Sequence, residues 1–224
     1  MKREGRAVVL LSGGMDSATT LAIALRKHRV IALHFNYHQR TQKKELWCFR
    51  KLCGYYKVRD KIVIDMDFLK RIGGSTLFSG SGNIPEPQFK KDRIPSTYVP
   101  FRNGIMLSVA AAAADRFGAR YIYIGAVEED SSGYPDCRSD FIDAFERAVN
   151  KGTRLSAIKI IAPLISMTKT EIVKTGIRLN VPYEYTWSCY RSDITPCMRC
   201  ESCYLRARGF EGAGQKDPII TQLK

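Results

Sequence analysis

The chain has 224 residues, of which 45% are hydrophobic, and its formal net charge is +14 at pH 7. This length and apolar content predict one domain, or one domain with a small appendage, whose core needs no disulfides. No stretch approaches the roughly 20 apolar residues that span a bilayer, and the basic start leads directly into a short apolar run without a signal-peptide cleavage site. We therefore exclude a membrane-spanning protein and expect a cytoplasmic one.

The positive charge has two interpretations. Between residues 40 and 61 the chain carries eight Lys or Arg residues against two acidic ones. Clustered Lys and Arg bind the phosphates of nucleic acids in one interpretation, and form a solvated basic face in the other. We favour the solvated face and expect no nucleic-acid partner.

Predicted strands and helices alternate along the chain. Short apolar or alternating runs predict strands at residues 7–11, 30–37, 61–65, 121–126 and 158–163. Apolar residues at helical spacing predict helices at residues 17–27, 42–56, 103–117, 140–150 and 170–179. Repeated β–α units predict an α/β fold, a parallel sheet with helices on both faces. Residues 73–100 are rich in Gly, Ser and Pro, which predicts a long loop or lid.

A glycine-rich loop joins the first predicted strand to the first predicted helix. After Leu11 the chain reads Ser12-Gly13-Gly14-Met15-Asp16-Ser17. A helix N-terminus offers free N–H groups to a phosphate, and glycine lets the backbone approach it closely. Asp16 would repel a phosphate, so we expect it to bind magnesium or cap the helix. The string matches neither the Walker pattern nor the dinucleotide fingerprint. A glycine turn with a helix cap is the alternative, but the whole string favours nucleotide binding.

Four of the seven cysteines lie within fifteen residues near the end of the chain: Cys189, Cys197, Cys200 and Cys203. Two overlapping C-x-x-C steps suit a tetrahedral metal, and four thiolates would leave no position for water, so a bound zinc would be structural. An iron–sulfur cluster is the competing interpretation. We expect an α/β domain over residues 1–184 and a metal-binding module over residues 185–224, joined as one continuous unit.

Three further polar motifs follow predicted strands or precede predicted helices: Thr97 to Asn103, Ser132 to Arg138, and Ser166 to Glu171. Each one alone is compatible with a turn or, from Thr168 to Glu171, a helix capping box. Ligands of parallel sheets bind at the carboxyl ends of the strands. Because all three motifs fall at that edge with the glycine-rich loop, we expect them to form one site.

The loop from Ser12 to Ser17 resembles the pyrophosphate loop (PP-loop) of the N-type ATP pyrophosphatases. That superfamily includes GMP synthetases, asparagine synthetases and several tRNA-modifying enzymes. With residues 36–40, the polar motifs and the segment from Trp187 to Arg206, nearly the whole chain resembles the family of 7-cyano-7-deazaguanine synthases. Two features depart from the family: the basic charge, and His38 where a glycine is frequent.

The resemblance implies a Rossmann-like fold of the adenine-nucleotide α-hydrolase type, and ATP, Mg²⁺ and structural Zn²⁺ as cofactors. It implies that the carboxylate of 7-carboxy-7-deazaguanine is adenylated, that ammonia gives the amide, and that a second ATP drives the amide to the nitrile. AMP and pyrophosphate are the by-products, and a homodimer is implied as well.

Site residues follow from the resemblance and from position in the chain. The residues expected to hold ATP are Leu11, Ser12, Gly13, Gly14, Met15, Asp16 and Ser17. The expected catalytic residues are Asp16, Lys169 and Arg138, the last two for stabilising phosphate charge. The residues expected to contact the substrate are Arg102, Tyr134 and Asp136. The expected metal ligands are the four clustered cysteines.

Three other functions compete with this interpretation. A tRNA-modifying adenylase on the same scaffold would suit the basic charge, and it would bind tRNA tightly with a strong salt dependence. A relative could join the deazaguanine carboxylate to a protein amine. A zinc-stabilised nucleotide-binding module would bind ATP without turnover.

Overall fold

A computed structural model describes residues 4–87, 94–128 and 134–221 of the chain. Five strands form one sheet: β1 (Arg6–Leu10), β2 (Arg29–Asn36), β3 (Asp60–Asp65), β4 (Tyr121–Tyr123) and β5 (Lys159–Ile161). Every pairing is parallel, and the strand order is β3-β2-β1-β4-β5. The predicted parallel α/β sheet is therefore confirmed.

Eight helices accompany the sheet in the described residues: α1 (Met15–Leu25), α2 (Gln42–Tyr55), α3 (Phe68–Ile72), α4 (Arg102–Phe117), α5 (Ser139–Gly152), α6 (Lys169–Arg178), α7 (Glu201–Gly212) and α8 (Pro218–Thr221). The five predicted helices correspond to α1, α2, α4, α5 and α6. Helices α3, α7 and α8 were not predicted. The described parts of residues 73–100 contain no helix or strand, as predicted for a long loop.

Each face of the sheet carries its own hydrophobic core. In β1, Val8 and Leu10 belong to one core, whereas Ala7 and Val9 belong to the other. Helices α4 and α5 cover the first core, while α1, α6 and part of α2 cover the second. Because both faces are buried, β1 is almost continuously apolar instead of alternating, as expected for a central parallel strand.

The C-terminal segment packs on this α/β layer. Helix α7 contacts α6 so closely that a Cβ on Gly209 would lie 3.0 Å from the carbonyl oxygen of Lys169. Phe210 is buried in the core that α1 and α6 share. The division after residue 184 remains an expectation, and the two parts contact each other extensively.

A buried arginine, Arg206, binds Asp217 near the end of the chain. Arg206 is 3% exposed, and its guanidinium donates to both carboxylate oxygens of Asp217, at 2.7 and 2.9 Å. It also donates to the Thr186 hydroxyl at 2.8 Å and the Tyr183 carbonyl at 3.2 Å. A buried charge is tolerated when it is paired and hydrogen-bonded in this way. Among the described helices, none is both long and apolar enough to cross a bilayer.

Candidate active site and metal centre

The glycine-rich loop turns sharply between β1 and α1. Gly13 has a φ of +93°, and a Cβ there would lie 2.7 Å from the carbonyl oxygen of Glu45 and 2.8 Å from the Cβ of Cys48. Gly14 has a φ of −79°, and the nearest atom to an added Cβ would be 3.5 Å away. Both the backbone conformation and the close packing therefore require glycine at position 13.

Hydroxyl groups organise the same loop. Ser12 Oγ accepts from the backbone N–H of Gly14 at 3.3 Å and donates to Ser17 Oγ at 3.1 Å, while Ser17 Oγ donates to the Gly14 carbonyl at 3.0 Å. The N–H groups in the first turn of a helix have no partner within that helix. Together with the positive end of the α1 dipole, they form a site suited to phosphate.

Asp16 and Lys169 meet beside this loop. Lys169 Nζ lies 2.9 Å from Asp16 Oδ2. The other carboxylate oxygen, Asp16 Oδ1, is buried and has no hydrogen-bond partner among the described residues. A buried polar atom without a partner is uncommon, and an oxygen-seeking cation such as Mg²⁺ would satisfy it. The donor set therefore fits the magnesium role predicted for Asp16.

Helix α6 fixes the position of Lys169. Thr168 caps the helix, its hydroxyl accepting from the Glu171 backbone N–H, and the Glu171 carboxylate accepts from the Thr168 N–H. The predicted capping box is confirmed. Lys169 is the first residue after the cap, and its side chain is only 13% exposed.

The loop opens into a cavity of about 280 Å³ at the carboxyl edge of the sheet. Nine residues predicted as site residues line it: Leu11, Ser12, Gly14, Met15, Asp16, Ser17, Arg102, Tyr134 and Lys169. Cys189, one of the predicted metal ligands, lines it as well. Gly13 is not among the lining residues but packs against α2 on the other side of the loop. The structure thus brings the glycine-rich loop from Ser12 to Ser17, called the phosphate loop below, together with two of the three predicted substrate residues.

Asp136 and Arg138 do not belong to the described lining. Asp136 is 3% exposed, and its Oδ2 accepts from the backbone N–H of Asn103 at 2.8 Å. The carboxylate therefore caps α4, and its contact with the substrate stays a prediction. The Arg138 side chain is exposed and precedes α5, and its contact with phosphate stays a prediction as well. Ser132 and Gly133 of the same motif lie outside the described residues.

Aromatic side chains form part of the cavity lining. Arg102 Nη1 donates to the Tyr37 hydroxyl at 3.2 Å, and the Tyr134 hydroxyl lies 2.8 Å from Thr97 Oγ1. Burial raises the pKa of Tyr37, Tyr134 and Tyr190, so all three phenols stay neutral at pH 7. The lining therefore combines planar rings, phenol groups and one guanidinium.

Sequence patterns missed several lining residues: Tyr37, Glu45, Cys137, Trp187, Tyr190 and Glu201. All of them except Glu45 fall within segments that carry the family resemblance, but none was assigned a role. Glu45 and Glu201 are acids in helices, and the helical pattern alone does not distinguish them from solvated charges. The lining residues come together only after the sheet and the C-terminal segment have assembled.

The four clustered cysteines form a compact group. All four Sγ atoms lie within 4.8 Å of one another, and those of Cys197 and Cys203 are 4.0 Å apart. A tetrahedral site with Zn–S bonds of about 2.3 Å separates its sulfurs by about 3.8 Å. The Cys197 N–H donates to Cys189 Sγ at 3.4 Å, and the Cys200 N–H donates to Cys197 Sγ at 3.3 Å. The group therefore fits one metal ion, with backbone donors that stabilise thiolates.

The other three cysteines are separate and buried. Burial raises the pKa of Cys48 to about 12, and those of Cys53 and Cys137 to about 11. A thiol with such a pKa is protonated at pH 7 and is a poor nucleophile or metal ligand. Covalent catalysis by Cys137 in the cavity is therefore not supported.

A backbone hydrogen bond connects the metal-binding segment to the phosphate loop. The N–H of Trp187 donates to the carbonyl oxygen of Gly13 at 2.9 Å, and its indole N–H donates to the Ser192 carbonyl, also at 2.9 Å. Trp187 is 5% exposed and lines the cavity. The segment that leads to Cys189 therefore forms the wall of the cavity next to the phosphate loop.

We expect Gly13→Ala to weaken ATP binding by at least about tenfold. The added Cβ would push the loop away from α2, and the positive φ would be strained by about 1 kcal/mol or more. Gly54→Ala is the matched control, because Gly54 is exposed on α2 and no atom would lie within 4 Å of its added Cβ. Calorimetric titration with ATP measures both variants. Equal ATP affinity in the two would contradict this account of the loop.

The chain matches a known protein family over most of its length. Residues 6–214 match the family model described as Queuosine biosynthesis protein QueC. The 7-cyano-7-deazaguanine synthase of Nautilia profundicola is 50% identical over 221 residues, which cover 98% of this chain and 99% of the relative. That of Nitratiruptor sp. is 53% identical over 216 residues, which cover 96% of this chain and 97% of the relative.

Solved structures share the fold at low sequence identity. A 4-thiouridine synthetase–RNA complex with bound ATP is 19% identical with a TM-score of 0.55, over 94% of this chain and 53% of that one. NMN synthetase from Francisella tularensis is 14% identical with a TM-score of 0.50, over 95% of this chain and 87% of that one. The resemblance seen in the sequence is thus confirmed, and the chain belongs to the QueC family of queuosine biosynthesis proteins.

Proposed function

We propose that this protein converts 7-carboxy-7-deazaguanine and ammonia to 7-cyano-7-deazaguanine with consumption of ATP. The observation that carries the proposal is one cavity whose lining includes Asp16, Lys169, the phosphate loop, Arg102 and several aromatic side chains. A phosphate site and a site for a planar base are thereby adjacent. The names and near-complete overlap of the two relatives above support the same reaction.

In the proposed first half-reaction, the loop from Ser12 to Ser17 binds the β- and γ-phosphates of ATP and leaves the α-phosphorus accessible. Asp16 would hold Mg²⁺, which when bound neutralises charge on the departing pyrophosphate. The Lys169 ammonium, 2.9 Å from Asp16, adds positive charge at the same place. Preorganised charge of this kind usually contributes most to catalysis.

The chemistry requires two activations of the same carbon. The substrate carboxylate attacks the α-phosphorus and releases pyrophosphate, and ammonia then displaces AMP to give the amide. An amide oxygen is a poor leaving group as oxide or hydroxide, so it attacks a second ATP and again releases pyrophosphate. Loss of AMP and of the remaining N–H protons leaves the nitrile. Two ATP are thus consumed for each nitrile, with AMP and pyrophosphate as products.

We expect the purified protein to form the nitrile from the acid, ammonium, Mg²⁺ and ATP, with AMP and pyrophosphate in a ratio of about one to one. Purified amide should be converted with ATP and without ammonium, because only the second activation remains. Mass spectrometry of the base and chromatography of the nucleotides measure both reactions. ADP as the product would remove the PP-loop mechanism, while modification of tRNA in place of the base would favour the competing adenylase.

Replacing Asp16 with Asn should lower kcat by about 100-fold or more, while the Kd for ATP changes much less. The carboxamide keeps the size of the side chain but loses the charge that Mg²⁺ and Lys169 require. Asp143→Asn, at an exposed position of α5, is the control and should leave both constants unchanged. A proportional loss of ATP affinity in Asp16→Asn would instead assign Asp16 to nucleotide binding alone.

We further propose that the metal is Zn²⁺, held by Cys189, Cys197, Cys200 and Cys203 in a structural role. Cys200→Ala should abolish stoichiometric zinc and lower the unfolding temperature, since binding of structural zinc contributes folding free energy. Cys53→Ala, also buried, should keep one zinc per chain. Elemental analysis and thermal unfolding measure both effects. Iron with sulfide in anaerobically purified protein would support the iron–sulfur alternative.

The remaining parts of the proposal are a homodimer in the cytoplasm and no nucleic-acid partner. They are supported by the family resemblance. The carboxylate-to-protein ligation considered above would need a second protein at the cavity, and the small-molecule assay separates the two.

A further inference from the structure

An acidic residue of the metal-binding segment reaches the cavity. Glu201 directly follows the ligand Cys200 and precedes Cys203 by two residues, at the first position of α7. Its partly buried side chain lines the same cavity as Arg102 and the phosphate loop. The segment therefore supplies a carboxylate to the cavity that the phosphate loop also lines.

Glu201 shares the cavity lining with Arg102, Tyr134 and Tyr190. Tyr190 directly follows Cys189, another proposed ligand of the metal centre. One acid, one guanidinium and several phenol groups are thus gathered in one cavity.

The chemistry of a guanine-type base matches this arrangement. Its N1–H and its 2-amino group are neighbouring donors on one ring edge, and a carboxylate offers two acceptor oxygens to such a pair. Its carbonyl oxygen O6 is an acceptor, for which Arg102 and the phenols offer donors. Flat aromatic rings suit the faces of the heterocycle.

We propose that Glu201 is the specificity-determining residue that reads the N1–H and 2-amino edge of the deazaguanine base. The inference rests on the proposed function, which it deepens. The metal centre accordingly positions residues of the cavity besides stabilising the C-terminal segment, since two of its ligands immediately precede the cavity residues Tyr190 and Glu201. The ring edge bound by Glu201 is remote from the 7-substituent, so the contact leaves the reacting group accessible.

A double-mutant cycle between protein and ligand tests this contact. The ligands are 7-carboxy-7-deazaguanine and the analogue that lacks the 2-amino group, titrated calorimetrically into metal-loaded protein without ATP. Wild type should bind the analogue about 10- to 100-fold more weakly, as for loss of a bidentate base contact. Glu201→Ala should bind the complete base more weakly by a similar factor and distinguish the two ligands by no more than about twofold.

Glu211→Ala is the matched control, an exposed acid on the same helix, and should discriminate as the wild type does. Zinc content is measured for each variant, and Glu201→Gln replaces the alanine variant if that one loses metal. Undiminished discrimination against the analogue in a metal-loaded Glu201 variant would overturn the inference. Slower turnover of both bases with discrimination intact would do the same, because it would place Glu201 in the chemistry of ammonia.

The outcome for the proposed function is separate. If the wild type discriminates between the ligands and forms no nitrile with ATP and ammonium, the base contact stands and the proposed reaction fails. If the wild type binds neither base, both the contact and the proposed substrate are overturned.

Discussion

The site depends on the hydrogen bond that Trp187 donates to the Gly13 carbonyl, 2.9 Å long. On its other side, Gly13 packs directly against the backbone of Glu45 in α2. The loop is therefore held between α2 and the C-terminal segment before any ligand binds. The carbonyl group of Gly13 is used for this contact, whereas the N–H groups in the first turn of α1 have no partner within the helix. Preorganisation of this kind lowers the cost of binding a polyphosphate.

Charged side chains also stabilise the segments that surround the site. Arg206 is held by both oxygens of Asp217 and by the Thr186 hydroxyl, so its charge is satisfied within the C-terminal segment itself. At the surface, Lys44 lies 4.5 Å from the centre of the Trp47 ring and 4.8 Å from that of Trp187. Such cation–π contacts are favourable by about 0.5–1 kcal/mol when exposed. One basic residue of the 40–61 stretch thus stabilises the wall of the site.

The sequence predicted those parts of the molecule whose signal is local. Helices and strands with an apolar period were placed within a few residues. The strands predicted at residues 121–126 and 158–163 were too long, since β4 and β5 have three residues each. Apolar runs report burial, and Ile124 and Ala126 are buried beyond the end of β4. Helix α7 was missed because its packing uses Gly209 and Arg206 in place of an apolar stripe. A motif cannot show whether a carboxylate caps a helix, as that of Asp136 does, or faces a cavity.

Two groups of cavity residues, one proposed to recognise the base and one proposed to act on ATP, explain how one site can serve both halves of the proposed reaction. Acid and amide differ only at the 7-substituent, while the ring edge proposed to bind Glu201 is identical in both. Contacts to that edge stabilise the two bases equally, so they retain the amide without favouring either activation. The groups proposed to act on developing charge, Asp16 and Lys169, lie with the phosphate loop, where each ATP would be consumed. Separating recognition from activation in this way lets the amide stay bound while AMP and pyrophosphate are replaced by a second ATP.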